Sequence, residues 1–468
     1  MKMPVLVLCA ALVFAPVPKS AGVNGQEKKP DLAAFEEVLR KDFEERGLPG
    51  AAVAIISGDR IVYSKMFGVS NIETGAPVTP DTLFLMGVTS RIFVSAALLS
   101  LAEEEKTELT EPIGDYIPGL NPRVAKVSIH QLLSNTAGMK HERYRYGPHD
   151  DKELEQYVHA LSEKYFFADP GKTFSNSSAS FALAAYVAEQ LGHKPFPDVM
   201  KDRFFKKLGM YRSTFRQDVA MTYPLSQGHE TSGVSAPVVI RPFVDNAIYR
   251  ADGMMYSTLN DVARFAIAFL NDGKFEGRQI LSPSVIAKIS TPVAQVYGTN
   301  VLEEGKYGYG MLIYNYRGVR VLENDSVWLG FSARFRMVPE HRFAIIILAN
   351  SNVGGFHETV DKAFETFMLV TPRLEVKPKT ALKIDEAEMQ KYVGQYFNPP
   401  DEIEIVLKDG QLVFKQIGIE LPMSKIGDQR FQIQPPGSPG TIELKMKTGE
   451  DGKIEFMYSS LRAFKKVR

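Results

Sequence analysis

Two groups of strand-like runs, placed at opposite ends of one long segment, constrain this chain more than any other feature. The first, 51-AAVAIISGDRIVYSKMFGVSN-71, is a pair of apolar stretches joined by 57-SGDR-60. Gly58 and Asp59 make that junction a hairpin turn. The second group is 307-YGYGMLIYN-315, 318-GVRVLEN-324, 331-FSARFRMVP-339 and 343-FAIIILAN-350. Between them the hydrophobic period changes to that of helices at 92–105, 127–137, 177–190 and 259–271, with further helices at 31–46 and about 356–369. Asn260 or Asp261 stands where a cap is expected for the 259–271 helix. Strands from both ends must therefore complete one antiparallel sheet, with helices on its faces or in a separate lobe. That is an α+β architecture.

Around 371-TPRLEVKPKTALK-383 the hydrophobic pattern stops. Beyond it come 402-EIEIVLKDGQLVFKQ-416, 430-RFQIQ-434, 441-TIELKMK-447 and 453-KIEFMYSS-460, short alternating strands with DG and GEDG turns. They predict a small all-β barrel or half-barrel. The expected organisation is a leader at 1–22, a main domain at 31–370, a linker at 371–385 and a β domain at 386–468. A chain of 468 residues exceeds one comfortable core, in keeping with two domains.

The start, MKMPVLVLCAALVFAPVPKSAG, has the basic, apolar and small-residue layout of a secretory signal, with cleavage after Ala15 or Gly22. Export, to the periplasm or the extracellular space, is the expected localisation. Cys9 is the only cysteine and falls inside that leader, so a mature chain has neither disulfide nor thiolate metal site. The eight histidines have no metal-binding spacing, and no cofactor is expected. Lys+Arg and Asp+Glu are both 55, which argues against nucleic acid as a partner. No later apolar run has membrane-spanning length, so no transmembrane span is expected in the mature chain.

A series of ordered pieces carries a resemblance. They are 48-LPGAAVAII-56, 81-DTLFLMG-87, 98-LLSLAEEEKTELTEPIGDYIP-118, 129-IHQLLSNTAGM-139, 170-PGKTFSNSSASF-181, 207-KLGMYRSTF-215, 251-ADGMMYSTLNDVARF-265 and 330-GFSARFRMVP-339. From about residue 35 to 370 the chain resembles the serine β-lactamase and penicillin-binding-protein superfamily, in particular its class C β-lactamase-like esterases and D-aminopeptidases. The resemblance implies an antiparallel sheet flanked by helices, and a terminal domain similar to the small lipocalin-like barrel often attached to such proteins.

It also implies a chemistry that this chain lacks the groups to perform. The family uses a serine and a lysine one helical turn apart, and those positions carry Val88 and Arg91. Valine has no oxygen to attack with, and arginine stays protonated and cannot take a serine proton. The family's tyrosine and asparagine fall on Asn176 and Ser178. Its Lys/His–Thr/Ser–Gly triplet falls on Asn324, Asp325 and Ser326, where an acid would repel a substrate carboxylate.

Thr89 and Ser90 offer hydroxyls beside the lost nucleophile, but each residue of a helix turns by about 100°, so neither inherits the direction of Val88. Arg91 needs an anionic partner if buried, and Asp325 is the candidate; an open Arg91 would bind a small anion instead. The segment 141-HERYRYGPHDD-151, with His141, Arg143, Tyr144, Arg145 and Tyr146, is either a solvated loop or a ligand or partner surface at the pocket mouth. Asp150 and Asp151 start the next helix in the plainest account. The expectation is an exported, noncatalytic member of the superfamily that binds a small anionic ligand, a peptide or a protein. The alternative is a hydrolase with Ser90 as nucleophile.

Overall fold

The computed structural model describes residues 31–142, 146–231, 233, 236–243, 245–298, 305–368, 370, 380–436 and 440–467. The expected leader, and most of the expected linker, lie outside the described residues.

The main sheet is built from both ends of its segment. Helix α1 (Leu32–Glu45) leads into β1 (Gly50–Ser57) and β2 (Arg60–Asn71), the hairpin expected around Gly58. After the helices come β3 (Leu312–Tyr316), β4 (Val319–Glu323), β5 (Ser326–Trp328), β6 (Phe331–Val338) and β7 (Phe343–Ala349). Their antiparallel order is β3-β4-β6-β7-β1-β2, with β5 paired to β6 alone and short strands added at both edges. The long-range closure is the β1–β7 ladder, in which Ala54 faces Ile346 and Ile56 faces Ala344.

β1 and β7 are apolar at nearly every position because both faces of the sheet are covered. Alternate residues point to opposite sides. Val53, Ile55, Ile345 and Ile347 pack with Phe35 and Leu39 of α1 and with Val360 and Phe364 of the helix His357–Met368. Ala52, Ala54, Ile346 and Leu348 face the larger core, which holds the helices α2 (Ser90–Glu104), α3 (Ser178–Gly192) and α4 (Leu259–Leu270). Fully burying one such side chain contributes roughly 1.5–3 kcal/mol. Helix α4 is the one that packs on β1 and β7, and its Phe265 ring in turn meets Phe93 of α2 at 4.4 Å between centroids.

Helices α1, α3 and α4 start at a hydroxyl or carboxylate cap, whereas α2 continues from a 3₁₀ turn without a side-chain cap. Asp31 accepts from the Ala34 N–H at 3.0 Å, Ser177 from the Ser180 N–H at 3.1 Å and Thr258 from the Asp261 N–H at 3.1 Å. Thr258 thus takes the role expected of Asn260 or Asp261, because α4 already begins at Leu259 and the cap is the residue before the first helical one. Only Ile129–Leu133 of the expected 127–137 helix is helical.

The C-terminal unit is a nine-stranded antiparallel sheet that closes nearly into a barrel. In spatial order its strands span 419–422, 411–416, 401–408, 394–398, 462–466, 454–459, 442–448, 430–433 and 424–427. The strands at 394–398 and 462–466, far apart in sequence, lie side by side. Its interior is filled by side chains that include Tyr396, Phe414, Phe431, Met446 and Met457.

The barrel is seated on the main domain through the segment before α3. Phe167 and Ala168 pack with Phe456, Tyr458 and Ala463. The Thr173 and Tyr458 hydroxyls are 2.8 Å apart, and Ser175 Oγ accepts from the Ala463 N–H and from Asn398 Nδ2, both at 3.2 Å.

Candidate functional site

The site begins where α2 begins. Gly87 has φ +55°, and a β-carbon there would lie 2.0 Å from Ser326 Oγ, so only glycine lets the strand wall approach the helix start. Residues 87–89 form a tight 3₁₀ turn before α2. Of residues 87–90 Val88 alone lines the cavity, and its N–H donates to Ser326 Oγ at 3.1 Å. That N–H is the donor a helix start would offer to an oxyanion. Here the hydroxyl of Ser326 already occupies it.

Thr89 and Ser90 are fully buried. Thr89 Oγ1 donates to the Asn324 carbonyl at 3.0 Å; Ser90 Oγ donates to the Gly87 carbonyl at 2.7 Å and accepts from the Met255 N–H at 3.3 Å. Both hydroxyls serve the backbone, as their rotation about the helix predicts. Neither lines the cavity.

Arg91 is locked in place. Its Nε donates to Asp252 Oδ1 at 2.9 Å, Nη2 reaches the same oxygen, Nη1 donates to Asn176 Oδ1, and the guanidinium lies 4.6 Å from the centre of the Phe181 ring. Only 3 % of Arg91 is exposed, which leaves no face for a bound anion. The partner expected from sequence, Asp325, is therefore replaced by Asp252 on the helical turn Arg250–Gly253. Arg91 thus has the carboxylate partner that burial requires, but from Asp252 and not from Asp325. Tyr307 lies beside this pair: burial raises its phenol pKa, and the Arg91 guanidinium works against that rise.

Asp325 belongs to a second cluster, on the strand wall. Its Oδ2 accepts from Arg334 Nη1 at 2.9 Å and Arg336 Nη2 at 2.8 Å, and its Oδ1 from the Phe335 N–H at 3.2 Å. Glu323 forms an ion pair with Arg336 Nε at 3.0 Å and accepts from the Tyr314 hydroxyl. Glu323 and Arg336 are direct cross-strand partners. Burial acts to raise the Asp325 pKa, but the pull of Arg336 and Arg334 together outweighs it and holds the carboxyl below its ordinary value. For Glu323 burial prevails, aided by repulsion from Asp325, and its carboxyl is raised. An acid so engaged is not a free charge facing a substrate.

Asn324 is turned inward, donating from Nδ2 to the Gly310 carbonyl at 2.6 Å. Ser178 does not line the cavity. Its hydroxyl accepts from the Glu142 N–H at 2.8 Å and donates to the Glu142 carbonyl at 3.0 Å, while its own N–H donates to His141 Nδ1 at 3.2 Å. His141 thus ties the loop to the start of α3 rather than overhanging the pocket. Tyr146 is half exposed and donates to the Pro242 carbonyl at 3.3 Å. Arg143, Tyr144 and Arg145 lie outside the described residues. Asp151 stands at the head of the next helix but spends its carboxylate on Arg216 and Arg250 instead of on the helix N–H groups.

What remains between the walls is a cavity of about 70 Å³, lined by Val88, Phe174, Asn176, Tyr307, Leu312 and Leu461 among others. Small-molecule sites usually hold roughly 300–1,000 Å³. A larger open groove of about 970 Å³, between Asp59, Arg264, Lys274, Glu276 and Arg342, contains none of these residues and has mixed charge with no convergent chemistry. We assign the site to the small cavity because the displaced catalytic positions converge there. Leu461 was not foreseen: it comes from the barrel, at the turn closing the strands 454–459 and 462–466. No group of His, Cys, Asp and Glu residues among the described residues is arranged to hold a metal ion. None of the described helices is long and apolar enough to cross a membrane.

Helices against an antiparallel sheet, with the start of a buried helix facing a strand edge, define the architecture of the serine β-lactamase and penicillin-binding-protein superfamily. The chain belongs to the Beta-lactamase family, whose pattern matches residues 35–366. It is 26% identical over 332 residues to penicillin-binding protein 4 of Amycolatopsis lactamdurans, covering 69% of this chain and 86% of that protein. It is 24% identical over 368 residues to an unguisins hydrolase of Aspergillus campestris (strain IBT 28561), covering 74% of this chain and 66% of that one. Among solved structures it is similar to SurE, with a TM-score of 0.76 and 18% identity over 93% of this chain and 99% of the other. That likeness in fold extends through the C-terminal barrel.

Proposed function

We propose that this protein is a noncatalytic member of its family, exported from the cytoplasm, that acts by binding. The observation that carries this reading is Arg91: the position that would hold the proton-accepting lysine is an arginine pinned to Asp252 and Asn176. A guanidinium paired with a carboxylate does not deprotonate. Val88 beside it has no nucleophilic atom, and the N–H that would receive an oxyanion is bonded to Ser326. The apolar leader and the absence of any cysteine after Cys9 support export.

The test is intact-mass analysis after exposure to a broad fluorophosphonate and to a penicillin, with Ser90→Ala and Thr89→Ala variants in parallel. The expected result is no mass increase in protein shown to be folded. A stoichiometric adduct that vanishes in one variant would overturn the reading and identify a nucleophile.

A further inference from the structure

The turn that brings Leu461 to the cavity is conformationally expensive. Ser459 and Arg462 pair across it, leaving two residues in the bend, Ser460 at φ +48° and Leu461 at φ +68°. Such two-residue turns favour Asn-Gly, since a side-chain-bearing residue in the left-handed region costs about 1 kcal/mol. Nothing within the barrel calls for a leucine at that place, because its side chain packs against the main-domain cluster that includes Phe174, Tyr307 and Leu312. The backbone of the turn is gripped from both sides. The Leu461 carbonyl accepts from the Asn176 N–H at 2.9 Å, and the Ser460 N–H donates to the Gly298 carbonyl at 3.2 Å. At Gly298 a β-carbon would lie 2.6 Å from the Tyr458 carbonyl, so the grip also depends on a bare backbone there.

The charges around the cavity are consumed in pairs, Arg91 with Asp252, and Arg334 and Arg336 with Asp325 and Glu323. Arg91, Glu323 and Asp325 line the cavity with their charges so engaged, beside the carboxamides of Asn176 and Asn324, and the surface left open is mostly apolar, from Val88, Phe174, Leu312 and Leu461. That surface suits an uncharged aliphatic residue whose carbonyl meets the Asn176 N–H, and it disfavours the carboxylate of an anionic ligand.

We propose that the cavity is a peptide-binding site whose resident ligand is the chain's own Ser460–Leu461 turn. The barrel holds this turn in place, and an outside peptide presenting an aliphatic residue on a similar turn displaces it. The proposal rests on the noncatalytic reading, because a site without an acylating pair holds a peptide without cleaving it.

The test uses the full chain with Cys9→Ser and Val88→Cys, which puts one thiol at the cavity wall. N-ethylmaleimide labelling is followed by intact mass, with and without Leu461→Gly. Glycine is at ease at φ +68°, so this change removes the side chain without straining the turn, and a urea transition that stays single and cooperative shows that the protein is folded. Labelling is expected to become an order of magnitude faster in the Leu461→Gly protein. A backbone-cyclised peptide of residues 457–464, at millimolar concentration, is expected to restore protection, and the same peptide with aspartate in place of leucine is not. Equal labelling rates with and without Leu461→Gly would overturn the proposal. So would faster labelling that the peptide leaves unprotected. A fluorophosphonate adduct on the Cys9→Ser protein would instead defeat the noncatalytic reading, and the labelling results stand or fall apart from it.

Discussion

The two walls of the cavity solve the problem of buried charge differently. On the helix wall Arg91 meets one carboxylate, Asp252, with the neutral Asn176 and Tyr307 beside it. On the strand wall two guanidiniums and two carboxylates share partners, with Asp325 between Arg334 and Arg336, and Arg336 between Asp325 and Glu323. A lone pair fails when either member is lost, because the survivor is buried without a counter-charge. A shared network loses one member and keeps part of its compensation. The helix wall is thus the brittle side of the site and the strand wall the tolerant one.

The comparison predicts a ranked series in urea unfolding. Asp252→Ala has the largest effect, a loss of about 3–5 kcal/mol, since it strands Arg91. Arg91→Met combined with Asp252→Ala is expected to recover much of that loss, and full additivity of the two changes would break the argument. Asp325→Asn comes next, at about 2 kcal/mol, because its carboxamide oxygen still accepts and Glu323 stays with Arg336. If Asp325→Asn costs as much as Asp252→Ala, the strand wall is not a shared network.

The pH dependence sharpens the contrast within the strand wall. Asp325 is held below its ordinary value of 3.8, so its contribution is present above that value and is lost as pH falls through the folded value. Glu323 is raised above 4.5, so its contribution is present below that value and is lost as pH rises through the folded value. Asp325→Asn is expected to flatten the acid limb of the stability profile. With Glu323→Gln, the balance against the native protein is expected to move in the variant's favour as pH rises. Parallel profiles for the two variants would contradict the opposite shifts. The smallest effect belongs to Ser326→Ala, about 1 kcal/mol, from the one acceptor that joins the walls at the Val88 N–H.

Much of this was legible in the sequence. The hairpin around Gly58 and the distant run 343–350 announced a sheet closed from both ends, and the ladder Ala54–Ile346 realises it. Val88 and Arg91 stood out because the ordered motifs around them were intact. The partner of Arg91 was missed because Asp252 lies in a stretch, 251-ADGMM-255, that reads as scaffold. The strand-wall network did leave a signal. Arg334 and Arg336 are two residues apart on one strand and so share a face, and Glu323 and Asp325 have the same spacing at the end of the neighbouring strand and just beyond it. The helices Lys152–Ala160 and Pro283–Ser290 escaped because short amphipathic segments with mixed polarity resemble loops. Leu461 was invisible for another reason: no local pattern says which turn of a barrel will face another domain.

The Arg91 contacts also bear on how such a chain can change over generations. Lysine at 91 would offer one nitrogen where arginine serves Asp252 and Asn176 in two directions, so that step alone loosens the helix wall. Serine at 88 alone would set a hydroxyl beside a proton that never leaves. Glycine at 326 alone would strip the Val88 N–H of its acceptor. Each single step towards the family's Ser–Lys pair therefore removes a contact or adds a hydroxyl with no amine beside it. The packing at the start of this one helix thus couples positions 88, 91 and 326, so that a change at any one of them is felt at the others.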